Sequence, residues 1–199
     1  DHSIKETLDG DKVVVEIFIR EGRKTFIERI NIVGNNVTNE EVIRGEMIVD
    51  EGDPFSELLL NKSINRLKAR NIFGKVEYKI FPGSEKDMSI IEIDVEEKPT
   101  GEIAAGAGVG TEGTSFNFFI TENNWLGRGV KLRGSLDVTE ESLRGGLDVT
   151  NPNYNYTGNE VSASFNSTKT DRLATSGYES TNTAASLATT FEQYKNIFL

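Results

Sequence analysis

Residues 130–138 read VKLRGSLDV, and how they alternate decides the fold. Val130, Leu132, Gly134, Leu136 and Val138 fall on one side of an extended chain, and Lys131, Arg133, Ser135 and Asp137 on the other. Strand side chains point to opposite faces with a period of two, so this stretch reads as a strand with one apolar and one polar face. The pattern recurs on both sides of it. TSFNFFIT (114–121) groups Phe116, Phe118 and Ile120. SLRGGLDVT (142–150) sets Leu143, Leu147 and Val149 against Arg144, Asp148 and Thr150, and EVSASFN (160–166) sets Val161, Ala163 and Phe165 against Glu160, Ser162, Ser164 and Asn166. Residues 183–191 alternate more faintly through Ala185, Leu187 and Phe191. Segments of about 9–11 residues, apolar on one face and separated by turns, are expected of a transmembrane β-barrel. A soluble sandwich with one wet face alternates in the same way and stays open as an alternative.

Aromatic placement favours the barrel. If the first strand starts beside the N-terminal half, the turns NNWLGRG and NPNYNYTG return to that side. Trp125, Tyr154 and Tyr156 would then share one membrane interface, as an aromatic girdle requires. Six strands and the start of a seventh fit into residues 99–199. Closed single-chain barrels begin at about eight strands, so the sequence is expected to be a fragment or to depend on further strands.

The strand that opens this half is unusual. GAGVGTEG (106–113) contains the GxGxxG spacing of a dinucleotide-binding loop. Such a loop must lead into a helix. The residues after Gly113 are β-branched and alternating, so the glycines belong to a strand, EIAAGAGVG. Ile103, Ala105, Ala107 and Val109 alternate there with Ala104, Gly106, Gly108 and Gly110. Such a strand has little side-chain packing and admits close backbone approach.

Composition narrows the function classes. The 199 residues carry a formal net charge of −10, which argues against a nucleic-acid partner. There is no cysteine, and the one histidine is His2, so no thiolate or histidine-rich metal site and no histidine-based triad can be built. His2 reads as a disordered end. The acidic DEGDP stretch reads as a turn, because the alternating ligands of a calcium loop are absent. No metal, cofactor or catalytic residue is expected, and the chain does not read as an enzyme. The polar start DHSIKETLDG shows no signal peptide, and no apolar run is long enough for a transmembrane helix. Charge divides the chain in two: residues 1–98 hold 36 charged side chains and residues 99–199 hold 18.

The first half reads as a small α+β domain. TFIERINIVG is a strand with Phe26, Ile30 and Ile32 on its inner face. Thr38 and Glu41 have capping-box spacing, with Val37 and Val42 at the staple positions, for a short helix to about Met47. Ser56 opens a second helix with Leu60, Ile64 and Leu67 inward, and Gly74 is expected to stop it. Two strands come next, through Val76, Tyr78 and Ile80 and then Ile91, Ile93 and Val95, joined by FPGSEKD. The order is β-α-α-β-β. VVVEIFIREG at 13–22 echoes IIEIDVEEK one unit earlier, with 76 residues from Ile17 to Ile93. A repeat of this length implies an array.

Together, NNVTNEEVIRGEM, LKARNIFGKVEYKI, NNWLGRG and LDVTNPNY resemble the BamA family of outer-membrane assembly factors, in the surface-antigen superfamily. The resemblance implies an α+β POTRA domain followed by antiparallel strands forming the N-terminal part of a transmembrane β-barrel. Residues 1–22 would hold the last strand of a preceding POTRA domain, 23–98 a POTRA domain, and 99–199 the first six to seven barrel strands. The implied place is the bacterial outer membrane, with the POTRA part in the periplasm. The implied partners are unfolded β-barrel client proteins, accessory assembly lipoproteins and the lipid bilayer, with no nucleic acid. Ile103, Ala104, Ala105, Gly106, Ala107, Gly108, Val109 and Gly110 would form the edge that pairs with a client strand. Two other functions stay open: a polypeptide transporter of the same superfamily, of the two-partner-secretion type, and a soluble β-sandwich interaction protein.

Overall fold

A computed structural model of the chain describes residues 2–9, 12–19, 24–110, 113–194 and 197–198. The chain opens with an antiparallel hairpin, β1 (His2–Asp9) and β2 (Lys12–Ile19), paired over eight residue pairs. His2 lies in β1 opposite Ile19 and is not the disordered end expected from the sequence. Its strand is too polar to show a hydrophobic period. Val15 and Ile17 are exposed, whereas Ile91 and Ile93, one 76-residue unit later, are fully buried.

The α+β unit comes next as β3 (Phe26–Val33), α1 (Glu40–Arg44), α2 (Glu57–Ala69), β4 (Phe73–Pro82) and β5 (Met88–Glu97). The expected order β-α-α-β-β holds. Its three-stranded sheet runs β3-β5-β4, with β5 parallel to β3 and antiparallel to β4. The last strand is therefore central, and β3 and β4 are the edges. Ile91, Ile93 and Val95 of β5 meet Leu60, Ile64 and Leu67 of α2 in one apolar core. Ser56 caps α2, its side chain accepting from the Leu59 amide.

Four local expectations are corrected. In β3 the expected inner face is Phe26, Ile30 and Ile32; Ile30 is buried together with Ile27, while Phe26 and Ile32 are half-buried, because the register shifts between Ile27 and Arg29. The helix expected to reach Met47 ends at Arg44. It is capped by Asn39 without a side-chain bond, so Thr38 and Glu41 form no capping box. The Thr38 hydroxyl is instead engaged by the second domain. Helix α2 stops at Ala69, before Asn71 turns the chain at φ 58°, and Gly74 lies inside β4.

The second half is a six-stranded antiparallel meander: β6 (Gly101–Gly110), β7 (Gly113–Trp125), β8 (Val130–Thr139), β9 (Ser142–Tyr154), β10 (Asn159–Arg172) and β11 (Tyr178–Thr190). A short helix α3 (Leu173–Ser176) makes the last turn. Beyond it, β12 (Glu192–Tyr194) pairs with β13 (Ile197–Phe198) and does not extend the six-stranded sheet. The expected start of a seventh barrel strand is thus absent among the described residues.

Register makes the two faces continuous. One row runs Ile103, Ile120, Gly134, Leu147, Phe165, Ala185, and a neighbouring row runs Ala105, Phe118, Leu136. Their large side chains are exposed and form a contiguous apolar band, the kind of surface that marks a protein or membrane contact. The opposite face is polar. Glu102, Thr121, Arg133, Asp148, Ser164 and Ser186 line up across it, and Asp137 stands opposite Arg144. The Arg133 guanidinium lies 5.4 Å from the Phe119 ring centre. Among the described residues no helix is long and apolar enough to cross a membrane.

Candidate functional site

Strand β6 is the end strand of the sheet. It pairs with β7 in ten unbroken pairs, from Gly101 opposite Glu122 to Gly110 opposite Gly113, and no described strand lies on its other edge. Ile103 to Gly110 therefore present a free row of backbone groups, as β11 does at the far end of the sheet. The two edges differ in chemistry. On the polar face of β6, Ala104, Gly106 and Gly108 stand opposite Phe119, Asn117 and Ser115 of β7. A Cβ at Gly106 would collide with the Asn117 amide, which lies across the glycine. On the apolar face, Ile103 and Val109 project far into solvent. A strand with one ladder and small side chains is held mainly by its backbone.

The base of β6 is tied to the α+β unit. Three residues separate β5 from β6. Thr100 accepts from the Asn123 amide (3.2 Å) and from its Nδ2 (3.1 Å), and the Thr100 hydroxyl donates to Glu122.

The two turns on this side, 126–129 and 155–158, are built alike. Asn124 Oδ1 accepts from the Gly129 amide at 2.7 Å, and Asn153 Oδ1 accepts from the Gly158 amide at 2.8 Å. Each turn places its second, third and fifth residue after the asparagine at positive φ: Leu126, Gly127 and Gly129, then Asn155, Tyr156 and Gly158. Each asparagine also reaches into the first domain. Asn124 Nδ2 donates to Thr38 Oγ1 at 2.9 Å, and Asn153 Nδ2 donates to Gly45 O at 2.9 Å. The Asn39 amide donates to Gly127 O and Arg70 Nη2 to Gly129 O, both at 2.8 Å. A Cβ at Gly127 would overlap Val37 O, so this approach needs glycine. Sequence reading named both turns and missed these asparagines. The repeated spacing, asparagine to glycine five residues on, is the signal that could have found them.

The loop that receives these contacts is held from below. Glu97 accepts from the amides of Asn36 (3.0 Å), Val37 (2.9 Å) and Thr38 (2.6 Å). Burial raises its pKa, but the donors from Thr38, Val37 and Asn36 outweigh burial and hold it below the ordinary carboxylate value.

Trp125, Tyr154 and Tyr156 lie at this same end of the sheet. Trp125 pairs with Val130, the first apolar residue of β8, and Tyr154 pairs with Asn159. Tyr156 does something else: its ring lies over Gly45, the residue that ends α1. It packs into the domain junction, which the alternation of β9 and β10 could not reveal.

Residues 25–98 match the POTRA family, described as a surface antigen variable number repeat. The outer membrane protein assembly factor BamA of Nitratidesulfovibrio vulgaris is 31% identical over 121 residues, covering 58% of this chain and 15% of the relative. The crystal structure of BamA from Haemophilus ducreyi lacking POTRA domains 1–3 superposes with a TM-score of 0.77 at 25% identity, covering 96% of this chain and 37% of that one. CdiB from Acinetobacter baumannii shares the fold, with a TM-score of 0.57 at 14% identity over 98% of this chain and 39% of its own. The chain thus spans about a sixth of the BamA sequence it matches and over a third of the solved BamA structure.

Proposed function

We propose, from a chain that is BamA-like in its POTRA domain and its barrel strands, that β6 is the template on which outer-membrane β-barrel proteins are assembled. The observation that carries this reading is the unpaired edge of Ile103–Gly110. A client strand adds there by main-chain hydrogen bonds, with little demand on its sequence. The ladder to β7 consists of backbone bonds with few side chains packed on it, so β6 can exchange partners at low cost. No covalent step is required. In this reading the POTRA domain stands in the periplasm and the β6–β11 sheet in the outer membrane. The hairpin β1–β2 is the end of a preceding POTRA domain, and accessory lipoproteins dock on the POTRA array. The edges β3 and β4 are free to hold unfolded clients in the same way.

The test is cysteine crosslinking from β6 to the terminal strand of a stalled client in the intact protein; these 199 residues contribute no cysteine of their own. Crosslinks from Ile103–Gly110 to the client are expected. Proline within the same stretch removes an N–H and blocks insertion in one phase of the strand, while Ala105→Val does much less. Crosslinks only to β7 while insertion proceeds would sink the template reading. A polypeptide crosslinked instead at Ser135, on the polar face, would identify a transporter.

A further inference from the structure

Between the POTRA domain and the two asparagine turns lies a cavity of about 340 Å³, within the size range of small-molecule sites. Its lining is charged and polar, with Arg70 and Arg128, Glu41 and Glu46, and Asn151 and Asn155 among its residues. Its position is set by register. Val130 also lines it, and Val130 opens the apolar face of β8. Asn151 pairs with Val161 and stands two residues from Val149 on the apolar face of β9. The cavity therefore lies directly below the apolar band, at the end marked by Trp125 and Tyr154. A lipid whose tails cover that band places its headgroup at this level.

The side chains fit such a group. Arg70 is largely buried, with 11% of its side chain exposed. One nitrogen reaches Gly129 O, but its Nε has no hydrogen-bond partner, and Glu46 stands 3.6 Å away. Burial lowers the Arg70 pKa against the pull of Glu46 and Glu160, so its charge sits in a poorly solvated place. Arg128 is exposed, and its guanidinium makes no ion pair or hydrogen bond among the described residues. Two guanidiniums and several amides suit phosphate oxygens. Glu41, on the rim, supplies an acceptor for a neighbouring ammonium.

We propose that this cavity is a binding site for a phospholipid headgroup in which a phosphate is carried beside a primary ammonium, as in phosphoethanolamine. The phosphate meets Arg128 and Arg70, and the ammonium meets Glu41. The inference rests on the reading that the β6–β11 sheet spans a membrane.

The experiment is native mass spectrometry of the intact protein taken from vesicles of equal parts phosphatidylethanolamine and phosphatidylcholine. Both lipids carry the phosphate, but only the first has N–H groups to donate. The expected result is retained phosphatidylethanolamine. Arg128→Gln should lower its occupancy roughly tenfold, the worth of one charge-assisted contact. Glu41→Gln should level the preference between the two lipids. Protection of the Gly129 amide from exchange shows that each variant keeps the junction folded. Equal retention by the wild type and Arg128→Gln overturns the site, as does an inserted protein that retains no lipid, which means a water-filled junction. Inorganic phosphate that binds in lipid-free detergent with the same Arg128 dependence, and displaces the lipid, overturns the lipid assignment. A protein that never enters the vesicles overturns the membrane reading itself.

Discussion

Asn124 and Thr38, 86 residues apart, meet at 2.9 Å in a buried hydrogen bond that joins the POTRA domain to the sheet. The other end of the same amide closes the β7–β8 turn on Gly129. Asn124→Ala removes both bonds and leaves the buried Gly129 amide without its acceptor, while the Thr38 hydroxyl keeps only Glu97. The expected cost is about 1–3 kcal/mol. Amide exchange at Gly129 and Asn39 should accelerate. Unchanged protection there would mean that the junction is held by other contacts.

The twin turns allow an internal comparison. Gly129 and Gly158 occupy equivalent positions at positive φ. A Cβ at Gly158 meets nothing within 4 Å, whereas one at Gly129 meets Arg70 and Val42. Gly158→Ala should therefore cost only the left-handed backbone penalty, about 1–2 kcal/mol. Gly129→Ala should cost more and displace Arg70. Thermal unfolding of the two variants side by side checks the order.

The POTRA domain should unfold cooperatively as an isolated segment, residues 23–98, because its core draws on no residue outside it. Leu67 is fully buried in that core. Leu67→Ala should cost about 2–5 kcal/mol in denaturant titrations of the segment. A broad, non-cooperative trace for the unmutated segment would show that it needs the sheet.

The two faces of the sheet should respond differently to charge. Leu147 lies in the apolar row between Gly134 and Phe165, whereas Ser135 lies on the polar face opposite Gly146. Leu147→Arg should cost about 2–4 kcal/mol in bilayers, and Ser135→Arg should be tolerated. Equal damage at both sites, measured by refolding into vesicles, would contradict a lipid-facing band.

Acid should loosen the junction through Glu97. Its pKa is lowered in the folded state from an ordinary value of 4.5. Its contribution is therefore complete above that value and is lost as pH falls through the lowered one. The melting temperature of the wild type should fall more steeply below about pH 4.5 than that of Glu97→Gln. Parallel curves would show that the carboxylate does not hold the Asn36–Thr38 loop.

Much of this fold was legible because its signals are local and periodic. The alternation of 130–138 and its neighbours located the barrel strands, and the spacing of Leu60, Ile64 and Leu67 located the buried face of α2. The features that stayed hidden depend on contacts between distant segments. The Thr38 hydroxyl, expected to cap its own helix, bonds Asn124 instead, because a tertiary partner outcompetes a local one. The bulge at Ile27 shifts an inner face by one residue, which no period of two announces. The edge position of Ile103–Gly110 is a matter of strand order, and the sequence marked it only by its glycines. The turn NPNYNYTG places Tyr156 at one end of the sheet, but its contact with Gly45 joins segments too distant for a local pattern to announce.

The three residues between Glu97 and Gly101 can span only about 10 Å. They join the central strand of the POTRA sheet to the end strand of the barrel sheet. So short a connection has no slack, and it works as a crank does. A swing of the POTRA domain is carried by the chain itself to the foot of β6, while Asn124 and Asn153 hold the β7–β8 and β9–β10 turns to the domain, and a strand pulled away from β7 drags on β5 in return.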